Sequence, residues 1–290
     1  MSKIILDASS CTKCGRCVAE CPAAIFVQRE RGAVPEVDHA EFCIACGHCG
    51  AICPADAVAH SGYPEGTVRH RDRTIEPSAD SLEALLRARR SVRAFQQKPV
   101  ERQHIERIIE AARLAPTAHN AQDVSYIVVQ DEATRREIAR LTFVYFAMLS
   151  KQLHSPIKRR IFRMLAGPVV DNAVAMLPEL GVFLDVIEGG REMILHDAPC
   201  LLFFHGPRHA GFADANANLA LQNATLMAEA LGLGSFYLGF VITTCARDRR
   251  IPRLLDVPAG HAVHAGMALG YPQFRYEKWL DRKPAKVAWR

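Results

Sequence analysis

Eight of the ten cysteines fall between residues 11 and 53, and they repeat at a fixed interval. Cys11, Cys14, Cys17 and Cys21 recur as Cys43, Cys46, Cys49 and Cys53, each 32 positions later. Gly15 recurs as Gly47, Pro22 as Pro54, and the apolar Ile25 has a counterpart near Val58. Self-similarity of this kind implies two copies of one supersecondary unit, related by a pseudo-twofold. Each copy has little apolar material of its own, so whatever the thiolates bind must hold the segment together. In a secreted miniprotein such density suggests disulfides, whereas in a chain of 290 residues it suggests a metal or a cluster.

The opening Met1–Asp7 lacks the apolar stretch of a signal peptide. No uncharged apolar run approaches the roughly 18 residues of a membrane span. The expectation is a soluble, cytoplasmic chain. Lys and Arg number 36 against 31 Asp and Glu, a balance of +5 that is too mild to predict a nucleic-acid partner. That average is uneven: residues 1–66 carry 5 basic and 8 acidic residues, and the rest carry 31 and 23.

After a charged linker over 67–80 the character changes, and 81–290 reads as a second domain. Asp80 with Glu83 resembles a capping box opening a helix through about Ala88. Ile105, Ile108, Ile109 and Ala112 form one stripe of a helix over about 101–114. Short apolar runs predict strands at 125–130, 200–205, 236–243 and 262–269. A nearly uncharged helix over 214–231, ending at Gly232 and Gly234, belongs in a core or a subunit interface. Residues 142–192 read as partly helical. The pattern favours an α+β layered domain around one sheet.

Each cysteine run reads Cys-x2-Cys-x2-Cys-x3-Cys-Pro and resembles the bacterial ferredoxin run for [4Fe–4S] clusters. The resemblance implies that three thiolates of a tight loop reach one cluster, while the fourth cysteine points at the neighbouring one. Cys11, Cys14, Cys17 and Cys53 would then hold the first cluster, and Cys43, Cys46, Cys49 and Cys21 the second. Zinc also favours paired Cys-x2-Cys, but it needs only four ligands, and two runs of four exceed that. Cys200 and Cys245, in apolar strand-like contexts, read as small buried hydrophobes.

The second domain has no Walker loop, and its Gly232-Leu233-Gly234 string runs from helix to strand, opposite to a Rossmann fingerprint. Arg89-Arg90-Ser91-Val92-Arg93 packs three guanidinium groups and a hydroxyl into five residues, which suits a phosphate dianion but taken alone reads first as a solvated basic turn. Ala115-Pro116-Thr117-Ala118-His119-Asn120-Ala121-Gln122 supplies amide and hydroxyl groups, and Arg282-Lys283-Pro284 adds cations. Together with Gln222-Asn223 and the Gly-Leu-Gly string, these segments resemble the nitroreductase family of FMN flavoproteins over about 80–290. The whole chain resembles the ferredoxin–nitroreductase fusions.

That resemblance implies a small 2[4Fe-4S] ferredoxin-like domain followed by an α+β nitroreductase-like sandwich. Arg89, Ser91 and Arg93, helped by Arg90 and by Arg282 or Lys283, would hold the FMN phosphate. Thr117, Asn120 and Gln122 would meet the ribityl chain and the isoalloxazine edge. The backbone of Leu238 and Gly239 would approach the reactive flavin nitrogen. His119 lies near the presumed flavin, but packing is its blander role. His261 and His264, three apart in a strand, should face opposite sides.

The chain departs from many members in carrying Asp123-Val124 where they have Pro-Trp. The basic run Lys158-Arg159-Arg160, with Arg163, reads as a solvated helix face. The implied activity is reduction of a small organic acceptor (nitroaromatic, quinone or activated alkene) with electrons exchanged between two [4Fe–4S] clusters and FMN. NAD(P)H, ferredoxin or flavodoxin are the implied donors, and a homodimer the implied assembly. The alternatives are a redox relay or sensor serving a protein partner, and a flavin-remodelling or dehalogenating enzyme of the same fold family.

Overall fold

The computed structural model describes residues 4–63 and 67–290. The expectations for Met1-Ser2-Lys3 and for a boundary at residue 66 lie outside the described residues. By its contacts the chain divides into one unit of Met1–Ser78 with Thr117–Ala121, and another of Ala79–Pro116 with Gln122–Arg290.

In the first unit the sequence repeat is also a backbone repeat. Helix α1 (Arg16–Glu20) is followed 32 positions later by α2 (His48–Ala51). Left-handed φ values recur in register, at Lys13 and Ala45 (59° and 51°), Gly15 and Gly47 (70° and 75°), and Ala24 and Asp56 (52° and 50°). Glycine is the residue that adopts this conformation without strain, which accounts for Gly15 and Gly47 at the two helix starts. Strand β1 (Ile4–Leu6) pairs antiparallel with β4 (Val58–His60), and β2 (Phe26–Val27) with β3 (Glu36–Val37). Each ribbon thus joins the start of one copy to the end of the other. A small core of Ile4, Cys17, Ile25, Phe26 and Val58 lies between them, with Cys21, Cys43, Cys49 and Cys53 packed against it.

The second unit opens with α3 (Ala79–Ala88), α4 (Arg102–Arg113) and β5 (Ser125–Val129). Helix α3 begins one residue before Asp80, so Asp80 stands in its first turn, near the positive helix end, rather than as its cap. Four consecutive helices follow: α5 (Glu132–His154), α6 (Pro156–Ala166), α7 (Val169–Ala175) and α8 (Leu177–Glu188). Then come β6 (Cys200–Pro207), α9 (Ala213–Ala230), β7 (Gly234–Tyr237), α10 (Gly239–Cys245), α11 (Arg250–Leu254) and β8 (His261–Gly270). On α6, Arg159 turns back to donate to the Leu153 carbonyl and Arg163 pairs with Asp171, so the basic run is only partly a free solvated face.

The four strands form one antiparallel sheet in the order β5-β6-β8-β7. Period-two alternation on β6 splits its side chains between two cores. Cys200, Leu202 and Phe204 join Ile105, Ile108, Ala112, Ala217, Ala220 and Ala224 of α4 and α9. Leu201 and Phe203 join Ile138, Leu141, Val241 and Ile251 of α5, α10 and α11. The result is an α+β sandwich with helices on both faces of the sheet.

Residues 236–243 do not form one strand. The ladder ends at Tyr237, Leu238 N–H still donates to the Gly266 carbonyl, and the chain then turns into α10. The β-branched run Val241-Ile242-Thr243-Thr244 imitates a strand, but Val241, Thr244 and Cys245 are buried at helical spacing. Short apolar runs carry that ambiguity, and here packing resolved it.

A β-bulge in β8 opposite Phe204 and His205 reverses which face the strand presents, so Val263 joins one core and Ala265 the other. His261 meets His205 at 3.0 Å, whereas His264 turns to Asp214 of α9 at 2.5 Å. Cys200 and Cys245 are buried, and burial pushes each thiol up to about 12.

Candidate redox-cofactor sites

Loop geometry in the first unit aims backbone donors at sulfur. The amides of Lys13 and Ala45 donate to Cys11 and Cys43, both at 3.4 Å, and that of Ala57 donates to Cys53 at 3.3 Å. Cys21, Cys43, Cys46 and Cys49 line a single cavity with Ile25, Ile44 and His60, so the last cysteine of the first run faces the three of the second. Burial pushes the Cys49 thiol up to about 11; the Gly50 amide opposes this, while Cys46, Cys43 and Cys21 reinforce it. In the other run burial raises Cys17, with Cys11 and Cys14 adding to the effect.

Four neighbouring thiolates repel one another and lose water together, so the ionised set is stable only around a positively charged group. Among the described residues no three metal-binding side chains converge closely enough for a single ion. A cubane presents four separate irons and does not require such convergence, and the donor set fits it.

Thr117, His119 and Asn120 belong by their contacts to the first unit. There the Asn120 amide donates to the carbonyls of Ile44 (3.3 Å) and Ala45 (2.7 Å). His119, Asn120 and Gln122 all have left-handed φ, between 47° and 53°. Such clustering of strained non-glycine backbone is a mark of functional loops. In the second unit, the Asp123 carboxylate accepts from Asn216 of α9 at 2.9 Å, so that departure from the usual Pro-Trp fastens the loop to a core helix.

The arginine segment runs beside β7. Ser91 bridges Ser235, and the Val92 amide donates to the Ser235 carbonyl at 3.1 Å. Arg90 donates to the carbonyls of Arg87 and Arg89, closing the end of α3. Arg89 and Arg90 lie near Glu229, whose carboxyl burial raises and the two guanidinium groups lower. Arg93 is exposed, with its guanidinium 5.8 Å from the Phe236 ring centre.

It borders a polar cleft of about 650 Å³ with Arg191, Glu192 and His196. The Glu192 carboxylate accepts from the amides of Ile194, Leu195 and Asp197 and so shapes that loop. Burial holds the His196 imidazole below its ordinary value, Glu192 opposes this, and Arg93 and Arg191 depress it further.

Arg191 and His196 carry no motif, and the Gly189-Gly190 pair before them is the one local signal of a turn. Arg282 and Lys283 are exposed in the C-terminal tail, where Asp281 pairs with Arg87 at 2.9 Å and Trp279 lies under the same guanidinium. Leu238 is buried and Gly239 half-buried where β7 passes into α10.

Gly234 explains the Gly-Leu-Gly string. A Cβ there would stand 2.7 Å from Val92 Cβ, inside any tolerable contact. Gly234→Ala should therefore cost about 1–3 kcal/mol of stability by overpacking. Val92→Ala in the same chain should restore the stability, as read by thermal melts; no rescue would place the effect elsewhere.

A second cavity, of about 480 Å³, is apolar and lies among α5, α6, α7, α8 and α10. Tyr145, Phe146, Phe162, Phe183 and Phe240 supply aromatic walls, and Arg247 and Glu179 stand at its border. Phe183 and Phe240 stack with ring centres 4.7 Å apart.

Residues 86–271 match the model of the nitroreductase family, and residues 3–54 match that of the 4Fe-4S dicluster domain. The chain is 31% identical over 199 residues to the NADH dehydrogenase of Thermus thermophilus, covering 68% of this chain and 88% of that one. It is 28% identical over 190 residues to the FMN reductase (NAD(P)H) of Bacillus subtilis, covering 65% of each, just under two thirds of the Bacillus protein. Among solved structures, iodotyrosine deiodinase bound to FMN and 3-iodo-L-tyrosine has a TM-score of 0.53 at 21% identity, over 72% of this chain and 98% of that one. A nitroreductase with bound FMN from Bacteroides fragilis has a TM-score of 0.51 at 24% identity, over 71% and 95%. At those identities the likeness is one of fold.

Proposed function

The chain belongs to the nitroreductase family, with a 4Fe-4S dicluster domain ahead of the family segment, and from that premise we propose an iron–sulfur flavoprotein that reduces a small organic acceptor. The observation that carries this reading is the cavity lined by Cys21, Cys43, Cys46 and Cys49 in a chain whose remainder belongs to that family. Bound FMN supplies hydride or electron chemistry, and the clusters supply one-electron transfer; the protein's part is to bind, orient and exclude.

Arg89, Ser91 and Arg93 hold the FMN phosphate, with Arg282 or Lys283 from the tail. Arg90 supports them from the end of α3. Arg191 borders the same cleft as Arg93 and adds a further guanidinium to that anion. Thr117, Asn120 and Gln122 are the proposed polar partners of the ribityl chain and ring edge, and the Leu238–Gly239 backbone the partner of the reactive nitrogen. Cys11, Cys14, Cys17 and Cys53 ligate one cluster, and Cys43, Cys46, Cys49 and Cys21 the other. Aromatic walls beside α10 favour a flat organic acceptor, because apolar lining gains most by excluding water from an apolar ligand.

NAD(P)H or a reduced ferredoxin or flavodoxin supplies electrons to a cytoplasmic homodimer. Among the described residues no helix is long and apolar enough to cross a membrane. The test is anaerobic turnover of the reduced holoprotein against nitroaromatic, quinone, enone and haloaromatic acceptors. Turnover of one of the first three is expected. Turnover of haloaromatics alone would move the assignment to dehalogenation, and no turnover with any would favour a relay to a protein partner.

A further inference from the structure

The two cysteine runs are matched in sequence and backbone, so a difference between them is informative. Backbone donors to the first cysteine of each run are equivalent, Lys13 to Cys11 and Ala45 to Cys43, both at 3.4 Å. The side chains 32 positions apart at Gln28 and His60 break the symmetry. Gln28 spends its amide donors on the carbonyls of Lys13 (3.2 Å) and Ala33 (2.6 Å). His60 instead places Nε2 3.5 Å from Cys43 Sγ.

We propose that His60 donates a hydrogen bond to the Cys43 thiolate and so makes the second cluster easier to reduce than it is without that donor, as the Ala57 amide does for the first cluster through Cys53. The donor role follows from the other ring nitrogen. The Gly62 amide donates to His60 Nδ1 at 3.0 Å, so that atom carries the lone pair. A neutral imidazole with a bare Nδ1 carries its proton on Nε2, and that N–H faces the sulfur. The ring is fixed from the side by Tyr63, with centres 5.2 Å apart.

A donor to a ligating thiolate withdraws charge and favours the more negative, reduced form of the cluster. Each cluster accepts one electron, and His60 favours that electron on the cluster held by Cys43. His60 is a positioning residue for that electron and ligates no iron. The inference rests on the cysteine assignments proposed above.

The experiment is an anaerobic dithionite titration of the full-length holoprotein, followed by electron paramagnetic resonance. Wild type should show two one-electron waves. His60→Phe keeps a ring against Tyr63 but removes the N–H. It should lower one wave by tenfold or more in its reduced-to-oxidised ratio at one poise, which is about 59 mV, and leave the other in place. His60→Gln, which retains an N–H donor, should leave both waves where wild type has them.

Two unmoved waves in His60→Phe with full iron and sulfide overturn the inference, as does an equal shift of both. Should His60→Phe lose iron, two unmoved waves in an iron-replete His60→Leu overturn it equally. A preparation without iron and sulfide would instead sink the cluster reading itself, so the two failures are distinguishable.

Discussion

Arg93→Glu should release FMN from the holoprotein and leave its iron and sulfide intact. Arg93 is exposed, and the structure gives its guanidinium one long hydrogen bond, 3.4 Å to the Ser91 carbonyl. Losing a charge-assisted hydrogen bond costs about 1.5–3 kcal/mol, and an anion facing the phosphate adds repulsion. At about 1.4 kcal/mol per tenfold change, affinity should fall by about a hundredfold or more. The cysteines are untouched, and an exposed side chain with that one bond contributes little to folding. Flavin absorbance after gel filtration, beside iron and sulfide content, reads both halves of the expectation. Stoichiometric FMN in the variant would show that the phosphate sits elsewhere.

Removing iron from the full chain should unfold the first unit and spare the second. The first unit has strands of two or three residues and a buried core of Ile4, Cys17, Ile25, Phe26 and Val58. Segments of this size rarely hold together on a core alone, and the binding energy of a metal site is then folding energy. Without iron, the thiols of buried Cys17 and half-buried Cys49, both raised by desolvation, keep their protons and cross-link nothing. The second unit has cores on both faces of its sheet and no dependence on those cysteines. Amide hydrogen exchange after anaerobic chelation should show protection lost over 4–63 and kept over the sheet strands β5, β6, β7 and β8. Persisting protection over 4–63 would show that the apolar core suffices.

Much of the architecture was legible because it is written in local periodicity. The stripe of Ile105, Ile108 and Ala112 became the buried face of α4, and the runs at 125 and 200 became paired strands. The reading of 236–243 failed because one β-branched run is compatible with both strand and helix, and only the burial of Val241, Thr244 and Cys245 decides between them. Site chemistry was legible as residue types: guanidinium groups in a row, thiols at fixed spacing. Their partners were not. Arg90 is taken up by the carbonyls of Arg87 and Arg89 at the end of α3, and Arg191 and His196 come to the cleft of Arg93 from a loop without a motif.

By itself the sequence determined the 32-residue repeat, the eight thiols, the division into a cysteine-rich and a layered α+β segment, and the clustering of cations at 89–93. These are properties of neighbours along the chain, where spacing dictates what backbone and side chain can do. Tertiary structure alone decided the strand order β5-β6-β8-β7, the bulge that sends Val263 and Ala265 to different cores, the tie from Asp123 to Asn216, and the approach of His60 to Cys43. Each of these joins residues distant in sequence. Their proximity is set by which apolar faces bury one another, and no local pattern records it.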